Sequence, residues 1–189
     1  MGDGIFTQDG SKWKHSRALL RPHFSVRRAD VLEEMKVKCH ELVDGLEDGQ
    51  IVDLQPLFYR LTLHVTMFFL HGSSCNTAAT DGGDSREMRF VNAFRIAQEH
   101  VAGKNPIAWL THPREHRRVF ATVHDYVDAA IADAIAEVDR TGESKDVHEV
   151  PFVHALLRET RDRKVLRDQS LNILIAGRDT TACTLGWTL

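Results

Sequence analysis

The final stretch, Leu171 to Leu189, reads LNILIAGRDTTACTLGWTL and constrains the fold more than any other. It has no proline, is rich in helix formers and is too long for a core strand, so it predicts a helix. Leu171, Ile173, Leu174, Ile175, Ala176, Ala182, Leu185 and Trp187 make it apolar nearly all round. Such a helix belongs inside a protein. Arg178, Asp179, Thr180 and Thr181 interrupt it. An ionised carboxylate in a dry core is costly unless it is paired, so Asp179 either has a bonded partner or faces a wet cavity. Ala176 and Gly177 carry almost no side chain, and a flat ligand could approach the backbone there. The Thr180 hydroxyl can bond back to the Ala176 carbonyl one turn earlier.

The rest of the chain reads as helices separated by loops. Residues 1 to 11 form a loop around Ile5 and Phe6, with an Asp9-Gly10 turn. Ser11 is placed to cap a helix running to about Arg21, with Pro22 closing it. A second helix fits Ala29 to Leu46, with Leu32, Met35, Cys39, Leu42 and Leu46 as its apolar stripe. Asp53 caps the third, which carries Leu57, Leu61, Val65 and Phe68 and ends at Gly72. Residues 73 to 84 are small and polar and read as loop. Helices follow over about Ser85 to Val101 and Pro113 to Arg140, joined by a loop with Gly103 and Pro106. A charged loop over 140 to 149 leads to a short helix around Phe152 to Leu157, and a polar break at Arg161 to Lys164 precedes the last helix. No strand and no repeat is evident, so the class is all-α.

At 189 residues the chain has the length of one domain. The net charge of −3 argues against a general nucleic-acid binder. Cys39, Cys75 and Cys183 lie far apart, so neither a disulfide framework nor a zinc ribbon is implied, and the helical Cys39 and Cys183 read as inert core thiols. The most apolar internal run, about Leu61 to Leu70, is too short to span a bilayer. His112, Glu115 and His116 have the H-x-x-E-H spacing of an inverted zinc peptidase. Pro113 confines that segment to a first helical turn, no third ligand is evident, and chance accounts for it among eleven histidines.

A second motif stands near the beginning, Trp13-Lys14-His15-Ser16-Arg17. Trp13 and Arg17 are four apart and share a helix face, and an indole N–H beside a guanidinium makes a grip for a carboxylate. With Ala176-Gly177-Arg178-Asp179-Thr180-Thr181, this W-x-x-x-R pair resembles the cytochrome P-450 monooxygenases: the two motifs are similar to that family's C helix and distal I helix, in order and at matching separation. The stretches GDGIFTQDGSKWKHSRALLRPHF and Val165 to Leu189 resemble the fungal alkane- and fatty-acid-hydroxylating group. The third helix fits that group less well, with His64, Met67 and His71 where acidic or aromatic residues are expected.

The resemblance implies an all-α, partial cytochrome P-450 fold from helix C to helix I, with residues 1–189 as a single incomplete domain. By it, Trp13 and Arg17 hold the propionates of haem, Ala176 and Gly177 line the distal haem face, and Asp179 and Thr180 serve proton delivery during oxygen activation. The implied reaction inserts one oxygen atom of O2 into a C–H bond of a long-chain alkane or fatty acid. Electrons come from NADPH through a reductase, on the cytoplasmic face of the endoplasmic reticulum membrane. The axial cysteine loop, the Glu-x-x-Arg helix and the membrane anchor of that family have no counterpart among these residues. The chain also stops inside its most buried helix without a cap, which reads as a truncated chain. The expectation is a fragment that is inactive alone and carries no metal ligand. Lys12, Lys14, Arg21, Arg27 and Arg28 make the start basic. In the family that side meets the reductase; the rival reading is a non-catalytic helical binding module with a basic first helix. Phe90, Phe94 and Trp109 fall where the family has a mobile substrate lid, and core packing is the simpler account of them.

Overall fold

The computed structural model describes residues 2–25, 28–73, 85–101, 113–142 and 150–189. Within them the architecture is all-α: α1 Gly10–Phe24, α2 Ala29–Asp44, α3 Leu54–His71, α4 Arg86–Val101, α5 Pro113–Thr141, α6 Phe152–Leu157 and α7 Arg163–Thr188. α3 packs most extensively on α7, α4 on α5, and α2 on the outer side of α3.

α7 begins where Asp162 accepts bonds from the Lys164 and Val165 amides, a side-chain cap. Its first half is buried on every side, from Leu166 through Leu171 to Leu174. The end of the helix is not: Ala182 is still fully buried, but Trp187 is 91 % exposed, with no described element packed over the last turn. α3 is capped by Asp53, whose carboxylate accepts from the Gln55 amide, and it stops at Gly72 in the left-handed region. Its buried face is Leu63, Met67 and Leu70, turned to the core; Leu61 and Val65 are half-buried and face the hollow described below.

Three other expectations need correcting. α1 starts at Gly10, with Asp9 rather than Ser11 at the cap position, and it continues through Pro22 to Phe24. The proline removes one backbone bond, but the extra turn is held by aromatic packing of His23 on Phe152 and of Phe24 on Phe69. α2 buries no residue at all: Leu32 and Met35 stay exposed, because much of its apolar stripe looks into an open hollow instead of onto a neighbour. Cys39 and Cys183 are half-buried, not core thiols. Phe90 and Phe94 are fully buried, with Phe90 stacked on Tyr126 at 4.1 Å, as plain core packing requires. Arg27, Cys75, Trp109 and His112 lie outside the described residues.

Candidate functional site

Polar side chains on the buried half of α7 fix where α1 sits. Asp168, Gln169 and Asn172 point at the first residues of the chain. The Asp3 amide donates to Asp168 Oδ2 at 3.1 Å and the Phe6 amide to Asn172 Oδ1 at 3.1 Å. Gln169 Nε2 donates to Ser16 Oγ at 2.7 Å, and that hydroxyl donates to Gln8 Oε1 at 2.6 Å. Gly4 is required here, since a Cβ would run into the Asn172 amide. Burial opposes ionisation of Asp168, yet Lys164, the Asp3 amide and Arg167 outweigh it and hold the carboxyl below the usual range. Asp168, Asn172 and the Gln169 amide nitrogen are therefore partnered, and these bonds tie the start of the chain to the helix that carries Ala176 to Thr181.

That tie places α1 at the edge of an apolar hollow of about 990 Å³ bounded by α1, α2, α3 and α7. Phe58, Leu61, Val65 and Phe69 of α3 and Met35 and Leu42 of α2 supply much of the apolar wall. Ala176 and Gly177 form part of the α7 wall, and Arg17 and Arg21 are the charged residues among the described lining. Arg17 and the small pair thus come from opposite ends of the sequence to one cavity. Trp13 does not line it; its ring lies 5.4 Å from the Arg17 guanidinium carbon, a cation–π arrangement on the exposed face of α1. The space beside Gly177 belongs to the fold itself: its missing Cβ position is occupied by Thr66, with the Thr66 hydroxyl oxygen 2.6 Å away. Gly177 therefore permits the close approach of α3 and α7. Thr180 Oγ1 donates to the Ala176 carbonyl at 2.7 Å, as its spacing predicts. Thr180 is exposed and one turn beyond Ala176, so the two share a face.

Asp179 looks the other way. It borders a second, more polar hollow of about 680 Å³ between α3 and α4, with Tyr59, Arg95, Gln98 and Arg178. Both alternatives drawn from the sequence hold, a bonded partner and an open cavity. Arg178, only 6 % exposed, donates from Nη1 to Asp179 Oδ1 at 3.0 Å and to Gln98 Oε1. Gln98 Nε2 donates to Asp179 Oδ2. The Arg178 guanidinium lies over the Tyr59 ring at 4.6 Å, and its carbonyl accepts from Thr62 Oγ1 at 2.9 Å. Burial pushes the Asp179 carboxyl up, against the pull of Arg178 and Gln98, so it is more readily protonated than an ordinary aspartate. The Tyr59 hydroxyl, 3.6 Å from Cys183 Sγ, is also pushed up, by that contact and by burial.

Gln98 is the residue that sequence reasoning passes over. Its one signal is position: four residues after Phe94, it puts an amide on a face otherwise turned to the core. Of the zinc-peptidase spacing, Glu115 and His116 are described; Glu115 is exposed, and His116 Nδ1 lies 3.1 Å from His100 Nδ1. Among the described residues no group of three or more histidine, cysteine or acidic side chains could hold a metal ion. In the basic start, Arg28 is bound to Asp30 at 2.6 Å and to the Val150 carbonyl, so it is not free to meet a partner, whereas Lys12, Lys14 and Arg21 are exposed.

The family model for cytochrome P-450 matches residues 1–189. The chain is 42% identical over 193 residues to a cytochrome P-450 of Arthroderma benhamiae, covering 100% of this chain and 39% of that protein. It is 37% identical to cytochrome P-450 52A1 of Candida tropicalis, covering 99% of this chain and 36% of that one. It is 36% identical to cytochrome P-450 52A9 of Candida maltosa, covering 100% and 38%. Among solved structures, the haem domain of cytochrome P-450DA superposes with a TM-score of 0.72 at 22% identity, over 99% of this chain and 41% of that one, a likeness of fold. The chain spans about two fifths of the length of these curated relatives.

Proposed function

The chain belongs to the cytochrome P-450 family, and on that premise we propose that it forms the distal and propionate-binding part of a haem-dependent monooxygenase. The observation that carries this reading is the shared hollow: Arg17 from one end of the sequence and Ala176 and Gly177 from the other border it. The fit to haem is good on three counts. The volume stands at the upper end of what cofactor pockets enclose, about 300–1,000 Å³. The walls are apolar. The guanidinium of Arg17, braced by the Trp13 ring, sits where a propionate can be met. Bound haem supplies the oxidising chemistry that inserts one atom of O2 into a C–H bond, with electrons from NADPH through a reductase.

The residues of this chain have narrower roles. Arg17 would hold a propionate, with the Trp13 ring bracing its guanidinium from outside the hollow. Ala176 lines the distal face, and Gly177 lets that face lie close against α3. Thr180, its hydroxyl on the Ala176 carbonyl and its side chain not among the described lining of the hollow, would have to turn to offer a hydrogen bond on the distal side. Asp179 holds an exchangeable proton on the polar side of α7. The resemblance to cytochromes P-450 of the 52A type supports a long-chain aliphatic substrate, an alkane or a fatty acid. It also supports a site on the cytoplasmic face of the endoplasmic reticulum membrane; no helix of the described residues is long and apolar enough to cross a membrane. The resemblance finds no match among these 189 residues for the family's axial cysteine loop or Glu-x-x-Arg helix, and on that ground we take the chain alone to be inactive.

The test is spectroscopic. The full-length enzyme containing this chain should give the carbon-monoxide difference spectrum of thiolate-bound haem and hydroxylate a long-chain fatty acid when reductase and NADPH are added. The 189-residue chain should give neither. A full-length product without that spectrum, or one that binds an acidic protein partner and no haem, would overturn the reading.

A further inference from the structure

On the polar side of α7 the amide of Gln98, on α4, bonds to two adjacent side chains of that helix, Arg178 and Asp179. We propose that Gln98 is a positioning residue: it holds the Asp179 carboxylate and the Arg178 guanidinium together on the polar side of α7, so that the stance of α4 sets where that carboxylate points. Its catalytic consequence rests on the reading of Asp179 as a proton donor; the geometry does not.

An amide has one donating and one accepting end, and both are used. Oε1 accepts from Arg178 Nη1, and Nε2 donates to Asp179 Oδ2. A carboxylate at this place would face Asp179 with like charge, an ammonium would face Arg178, and an aliphatic chain would leave both unserved. Arg178 has other anchors, the Tyr59 and Phe94 rings at 4.6 Å and 5.5 Å. The hydrogen bonds of Asp179 among the described residues are to Arg178 and Gln98. Of these two, only Gln98 belongs to another helix.

Asp179 borders the polar hollow and is absent from the lining of the apolar one. Thr180 is next along the helix and points about 100° away. A proton held at Asp179 thus reaches the distal side only when the carboxyl turns or passes it on through water. Gln98 opposes that turn for as long as α4 stays in place. The charged and titratable groups that face this cluster are Tyr59, Arg60 and the cap residue Asp53 on the α3 side, Arg95 and Glu99 on α4, and Arg178 and Cys183 on α7. The Gln98 bond favours the charged carboxylate, so its removal raises the acidity midpoint of Asp179.

The experiment uses the full-length haem-loaded enzyme as wild type, Gln98→Leu, Gln98→Glu and Asp179→Asn. The Asp179 carboxyl is titrated by infrared difference spectroscopy, with Asp179→Asn as the blank, and kcat and KM are followed against pH. In Gln98→Leu the carboxyl midpoint should move up, and the kcat profile should move with it. There kcat should fall about tenfold, with KM changed by less than about twofold, as for a group acting in the chemical step. In Gln98→Glu, which keeps the size and shape of glutamine, the midpoint should rise further, because two carboxyls then share a proton. This variant decides the matter if Gln98→Leu does not fold. An unmoved midpoint in the folded variants overturns the proposal. If Asp179→Asn turns over like wild type, the proton-donor reading falls by itself, and the midpoint still decides whether Gln98 positions Asp179.

Discussion

Substituting Gly177 by alanine tests why a glycine stands where α3 and α7 meet. A Cβ there would lie 2.6 Å from Thr66 Oγ1, 3.0 Å from its Cγ2 and 3.4 Å from its Cβ. Ordinary carbon contacts need about 3.5–4.0 Å, so the helices must part by roughly 1 Å or Thr66 must turn. Thr66 is not free to turn, since its hydroxyl donates to the Thr62 carbonyl at 2.7 Å and the residue is buried. Overpacking of this kind costs about 1–3 kcal/mol. Replacing a helical glycine by alanine returns about 1 kcal/mol. Gly177→Ala should therefore destabilise by about 1 kcal/mol on balance. In a Thr66→Ala background the two closest atoms are gone and the remaining Cβ stands at contact distance. There the same substitution should be neutral or stabilising, giving a coupling energy of about 1–3 kcal/mol. The assay is urea unfolding of the four proteins of the cycle in the full-length enzyme. An equal effect of Gly177→Ala in both backgrounds would refute the reasoning, because Thr66 would then not be what the glycine accommodates.

Two further outcomes follow from buried groups. His71 is held down to about 4, chiefly by burial and also by nearby His154, and neither ring nitrogen has a hydrogen-bond partner among the described residues. Its unfolded counterpart takes a proton near 6.5. The unfolded state therefore binds more protons between those values, and stability falls as pH drops from 6.5 towards 4. At pH 5 the loss from this group is about 2 kcal/mol; thermal melts against pH should show it, and His71→Gln should flatten the slope. Asp168 has the opposite kind of partnering: its carboxyl is held below the usual range, so its stabilisation is present at neutral pH and is lost as pH falls through the folded value. Asp168→Ala should cost about 2 kcal/mol and expose the Asp3 amide to hydrogen exchange. The Phe6 amide, bound by Asn172, should keep its protection.

Much of the fold was legible because local rules and tertiary packing agreed. Asp53 and Gly72 delimit α3 as capping chemistry predicts. Thr180 bonds back to Ala176. The sequence misleads where an apolar stripe borders an open hollow. α2 carries a clear stripe and buries none of it, because hydrophobic periodicity reports which residues share a face and not what that face meets. Pro22 misleads in another way: it removes one backbone bond without ending α1, and Phe24 beyond it packs on Phe69. At the candidate site, Arg17 and the small pair were visible as motifs, and Asp179 as a buried charge in need of explanation. The explanation was not visible. Gln98 lies 81 residues from Asp179 and carries no motif, and only the fold, which sets α4 on α5 and α5 on α7, brings the two together. The role of Gly177 was equally hidden, since nothing near it in the sequence points to Thr66 on another helix.

The account stands on Arg17 sharing one haem hollow with Ala176 and Gly177. The direct measurement is the rate at which the full-length ferric enzyme loses haem to an excess of a scavenging apoprotein. Arg17→Ala removes a charge-assisted bond and should speed the loss about ten- to a hundredfold. Arg17→Lys keeps the charge without the planar fork and should fall between. Haem loss from Arg17→Ala at the wild-type rate would contradict the assignment of this hollow.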